Sequence, residues 1–224
     1  MNCAAGLSRV VRSVKSGSGL IGDAEEIVSE MLEIAYNMFR YSMTIVIEKK
    51  TEKENIYEID QKLNSMEIDV RKKILEHLSI NPSQNITPSL VLVTLVVDIE
   101  RLGDYSKNLV EVSHKYPEPL KGKYIEKIKD MELEVQKCFE DTIKIYNEQD
   151  EKLGKRVMEK LSLLIDECQD LLETLIEDES LKSREGIIYA LLVRHLKRVS
   201  SHVRNVCSGI VNPFYRLGYK PDER

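Results

Sequence analysis

The sequence predicts an all-α protein made of two tandem, pseudo-repeated three-helix bundles, each about a hundred residues long. Apolar residues recur at helical spacing along six long segments, and no alternating strand pattern is present. Charged residues make up 32% and apolar residues 42% of the 224 residues, which is typical of a charge-rich helical protein. The run from Asp98 to Asn108 also has a diverged copy between His195 and Asn205. These observations together predict six long helices in two related halves.

Composition excludes several classes of protein. A net charge of −5 argues against a nucleic-acid binder, which needs a basic face. The longest apolar run ends at Val97 and is too short to span a bilayer, and no signal peptide is recognisable. The cysteines Cys3, Cys138, Cys168 and Cys207 form no C-x-x-C pair, so neither disulfides nor zinc is indicated. A reduced, cytoplasmic setting is therefore expected.

The first bundle is preceded by a short basic segment. Residues 1–22 contain arginines and a Ser-Gly-Ser-Gly connector, which predicts a flexible tail. Asp23 and Glu26 have the spacing of a capping box, which places the start of the first helix at Asp23 and its end near Lys50.

The remaining boundaries of the first half follow from periodicity and prolines. An apolar stripe predicts the second helix over residues 52–78. Thr87 as N-cap with Pro88 at the first helical position predicts a third helix to about His114. Pro117 and Pro119, which follow Tyr116, mark the boundary between the halves.

The second half has the same layout, with helices predicted near residues 122–147, 150–178 and 183–211. The sequence Asn212-Pro213 ends the last helix, and a short polar tail follows. The predicted units are a tail at 1–22, bundles at 23–116 and 120–213, and a C-terminal tail at 214–224.

Four side chains in the first half form a candidate metal site. Glu100 and Asp104 stand at i and i+4, so they share one face of a helix, where like charges repel. Asp60 and Asn64 have the same spacing on the preceding helix, which would lie antiparallel to it. Oxygen-rich clusters suit Mg, Ca, Mn or iron better than zinc. The alternative is an acidic face paired with Arg101, Lys107 or water.

The second half has lost this pattern. Lys197 and Ser201 stand where the first half has Glu100 and Asp104, and the facing helix offers Ser162 and Asp166. A lysine can satisfy a lone aspartate without a metal. We therefore expect one metal site in the first half and a salt-bridged relic in the second.

The run DIERLGDYSKN, from Asp98 to Asn108, resembles the signature helix of the PhoU family of phosphate-uptake regulators. The resemblance covers roughly residues 23–213 and implies two spectrin-like bundles with acidic pairs that bind iron or another divalent cation. Glu100 and Asp104 match one pair fully, whereas Asp60 matches half of the other and Asn64 replaces its second acid. The implied ligand set is Asp60, Asn64, Glu100 and Asp104, with iron, Mn or Mg as the metal.

The second repeat departs further from the pattern. The sequence Leu196–His202 resembles the PhoU-like domain appended to bacterial sodium/phosphate cotransporters, although this chain has no transporter helices of its own. The chain is then either a stand-alone relative or a domain of a larger transporter.

The resemblance implies a non-enzymatic regulator of phosphate uptake or signalling. It would bind a phosphate transporter or sensor kinase at the inner face of the membrane, and its long apolar faces predict a homodimer. Two alternatives stay open: a structural helical adaptor without metal, and a metal-dependent enzyme. A metal-dependent enzyme would need a proton-transfer group near the metal, and none is identifiable in the sequence.

Overall fold

A computed structural model describes residues 19–219 of the protein. The described part is all-helical, as predicted, with six α-helices followed by a short 3-10 turn. The helices are α1 (Leu20–Glu48), α2 (Ile56–Ile80), α3 (Ile86–Lys115), α4 (Lys123–Glu148), α5 (Glu151–Glu177) and α6 (Ser183–Val211), and the turn is Phe214–Arg216. Most of the predicted basic tail lies outside the described residues. In the described residues, no helix is both long enough and apolar enough to cross a membrane.

The start of α1 differs from the predicted capping box. The helix begins at Leu20, after Gly19, because the Ile21 side chain is already buried in the core. The Asp23 backbone N–H donates to the Gly19 carbonyl at 3.0 Å, so Asp23 lies within the first turn. Its carboxylate instead accepts a hydrogen bond from Lys73 of α2 at 3.0 Å. The prediction of Asp23 as N-cap, and of a tail extending to residue 22, was wrong.

Two other helix starts were misplaced. The N-cap of α3 is Asn85, with φ of 54°, and Thr87 and Pro88 both lie inside the first turn. Asparagine tolerates this left-handed backbone, and the first-turn proline needs no backbone N–H. The side chain of Asn55 accepts the Tyr57 N–H at 3.2 Å, which starts α2 later than the predicted residue 52.

Helices α1–α3 form the first bundle and α4–α6 the second, and the two bundles pack against each other through α1 with α4 and α3 with α6. Tyr36 of α1 donates to Glu140 of α4 and packs edge-on against Phe139, with ring centroids 5.4 Å apart. Ser29 donates to Asn147 across the same contact at 2.8 Å. The buried apolar residues of both halves form one continuous cluster. The bundles therefore share a core.

Candidate cation site and its counterpart in the second repeat

Asp60 of α2 and Asp104 of α3 are brought together at one place between the two helices. The ammonium of Lys107 donates to Asp60 Oδ2 at 2.7 Å and to Asp104 Oδ1 at 3.0 Å. Asp60 is only 6% exposed, so its charge requires a partner. Burial lowers the pKa of Lys107, but the hydrogen bonds to both aspartates outweigh burial and leave the pKa raised. Lys107 is therefore a charged ammonium that bridges the two carboxylates.

Gly103 allows the two helices to approach at this place. A Cβ atom at this position would lie 2.6 Å from the Leu63 Cδ1 atom of α2, and 3.7 Å from Asp60 Oδ1. A Cβ at the first of these distances would force the fully buried Leu63 side chain to shift, so glycine favours the close approach that brings Asp60 of α2 to the surface of α3.

Glu100 lies one turn before Asp104, beside Arg101. The guanidinium Nε of Arg101 lies 3.5 Å from Glu100, and its Nη1 donates to Asp104 at 2.7 Å. Burial and then the charge of Asp104 raise the pKa of Glu100 above its usual range, against the lowering effect of Arg101. Cations thus neutralise Asp104 on two sides, while Glu100 is compensated less well.

Glu67 is a fourth acid that the sequence reasoning missed. It follows Asp60 and Asn64 on the same face of α2, and its charge also raises the pKa of Glu100. Its carboxylate lies 2.8 Å from Arg71 and is 14% exposed. The i, i+4, i+7 spacing of Asp60, Asn64 and Glu67 was the signal in the sequence that would have included it.

Asn64, the predicted amide ligand, lies between these acids on α2 and is partly buried. The carboxylate and amide oxygens present here suit a hard divalent cation. The ammonium of Lys107 already occupies the space between Asp60 and Asp104, so an ion would have to displace it. Within residues 19–219, no three His, Cys, Asp or Glu side chains form a ready-made metal-binding group.

The corresponding surface of the second repeat has a different charge pattern. Arg204 of α6 stands where Lys107 stands in the first repeat, and its Nη1 donates to Ser162 Oγ of α5 at 3.3 Å. Lys197 donates to Gln169 at 2.7 Å. The predicted pairing of Lys197 with Asp166 is therefore wrong, because Gln169 lies opposite the lysine in the antiparallel hairpin.

A known family model matches both three-helix repeats, including the motif on α3. The PhoU domain model matches residues 28–113 and 128–210, which cover both bundles. This chain belongs to the PhoU domain family. The match includes nearly all of α3, with Gly103 and the acidic pair, and nearly all of its diverged copy in α6.

Relatives in the family have low sequence identity. A protein of Synechocystis sp. named "Phosphate-specific transport system accessory protein PhoU homolog" is 22% identical over 192 residues, covering 83% of this chain and 85% of that protein. A Thermotoga maritima protein named "Phosphate-specific transport system accessory protein PhoU homolog 1" is 29% identical over 119 residues, covering 51% of each chain.

Solved structures share the PhoU fold. PhoU from Streptococcus pneumoniae superposes with a TM-score of 0.66 at 16% identity, covering 97% of this chain and 98% of that one. PhoU from Pseudomonas aeruginosa gives a TM-score of 0.60 at 16% identity, with coverage of 91% and 96%. Both similarities support the same two-bundle architecture.

Proposed function

We propose that this PhoU-domain chain is a non-enzymatic accessory regulator of phosphate transport that acts by binding other proteins. The observation that carries the proposal is that the PhoU domain model matches both repeats. The Synechocystis relative, named for phosphate-specific transport, also aligns over 83% of this chain.

The proposed partner is a phosphate transporter or its sensor kinase, at the cytoplasmic face of the membrane. The amino-terminal part of α3 supports a surface for protein contacts, because Ile86, Leu90 and Val97 are 46%, 40% and 37% exposed and recur at helical spacing. An apolar helix face of this kind also supports self-association into a homodimer, which sedimentation over a range of concentrations would test.

The acidic cluster is proposed to bind a divalent metal (iron, Mn or Mg) through Asp60, Glu100 and Asp104, with Asn64 as a neutral oxygen donor. The ion would supply positive charge to the cluster and would compete with Lys107 for Asp60 and Asp104. The raised pKa of Glu100 supports this proposal, because it indicates a carboxylate whose charge is incompletely compensated.

A second candidate is a structural adaptor that needs no metal. The observation that favours it is that Lys107 bridges Asp60 and Asp104, at 2.7 Å and 3.0 Å. In that case the lysine is the permanent cation of the cluster, and partner binding does not respond to chelators.

The regulatory function is tested by deleting the gene in the organism that encodes it and measuring phosphate uptake under limiting and abundant phosphate. We expect uptake to lose its dependence on external phosphate and to regain it when the full chain is restored. Unchanged regulation of uptake in the deletion strain would contradict the proposal, and uptake of an unrelated solute provides the control. Affinity capture from membrane extracts, with and without chelator, separates the two candidates.

A further inference from the structure

Hydroxyl and basic side chains lie along two turns of the α5–α6 contact in the second repeat. Lys197, Ser201 and Arg204 follow one another at i, i+4 and i+7 on α6, so they share one face of that helix. Ser162 of α5 is buried and accepts a hydrogen bond from Arg204 at 3.3 Å. We call Ser162, Lys197, Ser201 and Arg204 the basic cluster.

Arg204 is poorly satisfied for a guanidinium in this position. Its long hydrogen bond to the Ser162 hydroxyl uses one of five N–H donors, and its buried Nε has no hydrogen-bond partner among the described residues. The side chain is only partly exposed, and burial lowers its pKa while the charge of Asp166 acts in the opposite direction. A half-buried charge with unfilled donors is costly unless a counter-charge supplies the missing bonds.

The neighbouring groups are suited to an anion. The hydroxyls of Ser162 and Ser201 now donate to backbone carbonyls of their own helices, both at 2.9 Å, and each hydroxyl can rotate to donate to a ligand instead. Lys197 Nζ donates to the neutral Gln169 amide and has further donors. Asp166 is the acid of α5 whose charge acts on Arg204. It is exposed, as are Glu159, Glu167 and Asp170 on the same part of the helix, so these carboxylates can remain in solvent.

The first repeat has the same apolar helical framework as the second but carries different charges on the corresponding surface. Its corresponding α2–α3 surface places Lys107 between Asp60 and Asp104, so acids outnumber the bridging cation there. In the second repeat the α6 positions equivalent to Glu100 and Asp104 are Lys197 and Ser201. The apolar framework is preserved, while a lysine and a serine replace the two acids.

We propose that the basic cluster of the second repeat binds a small tetrahedral oxyanion, with inorganic phosphate as its ligand. The planar guanidinium of Arg204 offers paired Nη donors that match two oxygens of such an anion, and the hydrogen bond from Nη1 to the Ser162 hydroxyl is long enough, at 3.3 Å, to be exchanged for one to the ligand. Lys197, two turns away on the same face of α6, adds positive charge at longer range, and the Ser162 and Ser201 hydroxyls add neutral donors. These side chains are the evidence for an anion site, whereas the choice of phosphate over sulfate as its ligand rests on the proposed function.

Isothermal titration of the purified full chain with inorganic phosphate tests the site, at constant ionic strength and at concentrations up to about 10 mM. We expect saturable binding with one anion per chain. Arg204→Gln should weaken binding at least about tenfold. The matched control is Arg198→Gln, because Arg198 is exposed on the same helix and carries the same charge; it should bind like the wild type. Circular dichroism verifies that both variants are folded.

Two further variants test how the anion is recognised. Arg204→Lys keeps the charge but removes the planar fork, and it should weaken phosphate binding if two oxygens are recognised. Asp166→Asn should strengthen binding, since it removes the nearby carboxylate. Absence of saturable binding in the wild type, or an equal loss in the Arg204 and Arg198 variants, would overturn the proposal. Because the titration uses purified protein, its failure is distinguishable from an unaltered uptake phenotype.

Discussion

Asp98 of α3 and His202 of α6 join the two repeats through a hydrogen bond of 2.7 Å from His202 Nδ1 to Asp98 Oδ1. Asn205 donates to the same oxygen at 2.9 Å. In the alignment of the repeats Asp98 corresponds to His195 and Tyr105 to His202, and the rings of Tyr105 and His195 lie 5.8 Å apart. The contact of Asp98 with His202 is therefore the counterpart, with the two repeats exchanged, of the contact of His195 with Tyr105.

Asp98→Ala should destabilise the protein by about 1–3 kcal/mol, because it leaves the His202 and Asn205 donors partly buried without their acceptor. Urea unfolding monitored by circular dichroism measures this change. The control is Asp130→Ala, at an exposed position of α4, which should change stability by less than about 0.5 kcal/mol. Equal effects of the two substitutions would show that the contact between repeats contributes nothing to stability.

Gly103→Val should destabilise the protein by about 1–3 kcal/mol, since its side chain would collide with Leu63 and separate α2 from α3. Gly186→Ala is the matched control in α6, where a Cβ meets Leu181 at 3.9 Å and fits. Alanine should stabilise that helix by about 0.5–1 kcal/mol. A Gly103→Val protein as stable as the wild type would contradict the close approach that carries Asp60 to α3.

Glu100→Gln should stabilise the protein at about pH 7, by roughly the 0.2–0.5 kcal/mol of a like-charge pair at i and i+4. The pKa of Glu100 is raised in the folded state, so its ionised form opposes folding. This cost is present in full above the folded pKa and is relieved as the pH falls towards the usual value of 4.5. The wild type should therefore approach the variant in stability as the solution is acidified.

Urea unfolding of both proteins at about pH 7 and about pH 5 measures this difference. The control is Glu159→Gln, at an exposed position of α5. A Glu100→Gln protein less stable than the wild type at neutral pH, or a difference independent of pH, would mean that Arg101 fully compensates the carboxylate.

The long-range layout could be predicted because it depends on apolar periodicity, which α6 follows from Ser183 to Val211 as predicted. The starts of α1 and α3, expected at Asp23 and Thr87, were predicted wrongly, because the true starts depend on the burial of Ile21 and on the left-handed backbone of Asn85. Local cap signals do not contain that tertiary information.

The site was predicted in part for a similar reason. Helical spacing placed Asp60 and Asp104 on facing stripes, and Lys107 was foreseen as one of their alternative partners. Spacing does not indicate which opposing residue each cation contacts, so Lys197 was assigned to Asp166 although it binds Gln169. The contact of Asp98 with His202 joins two repeats, and no periodicity within either repeat predicts it.

Thermal unfolding in Mn²⁺, Mg²⁺ or Fe²⁺, against a chelator control, tests most directly whether the acidic cluster is a cation site. Binding at a hundredfold excess over the dissociation constant adds about 2.7 kcal/mol of stability. For a chain of this size, each kcal/mol raises the melting temperature by about 2–4 °C. We expect a rise in the wild type, a larger rise in Lys107→Met, where no ammonium competes, and none in Asp60→Asn/Glu100→Gln/Asp104→Asn. An unchanged melting temperature in both the wild type and Lys107→Met would contradict the cation site.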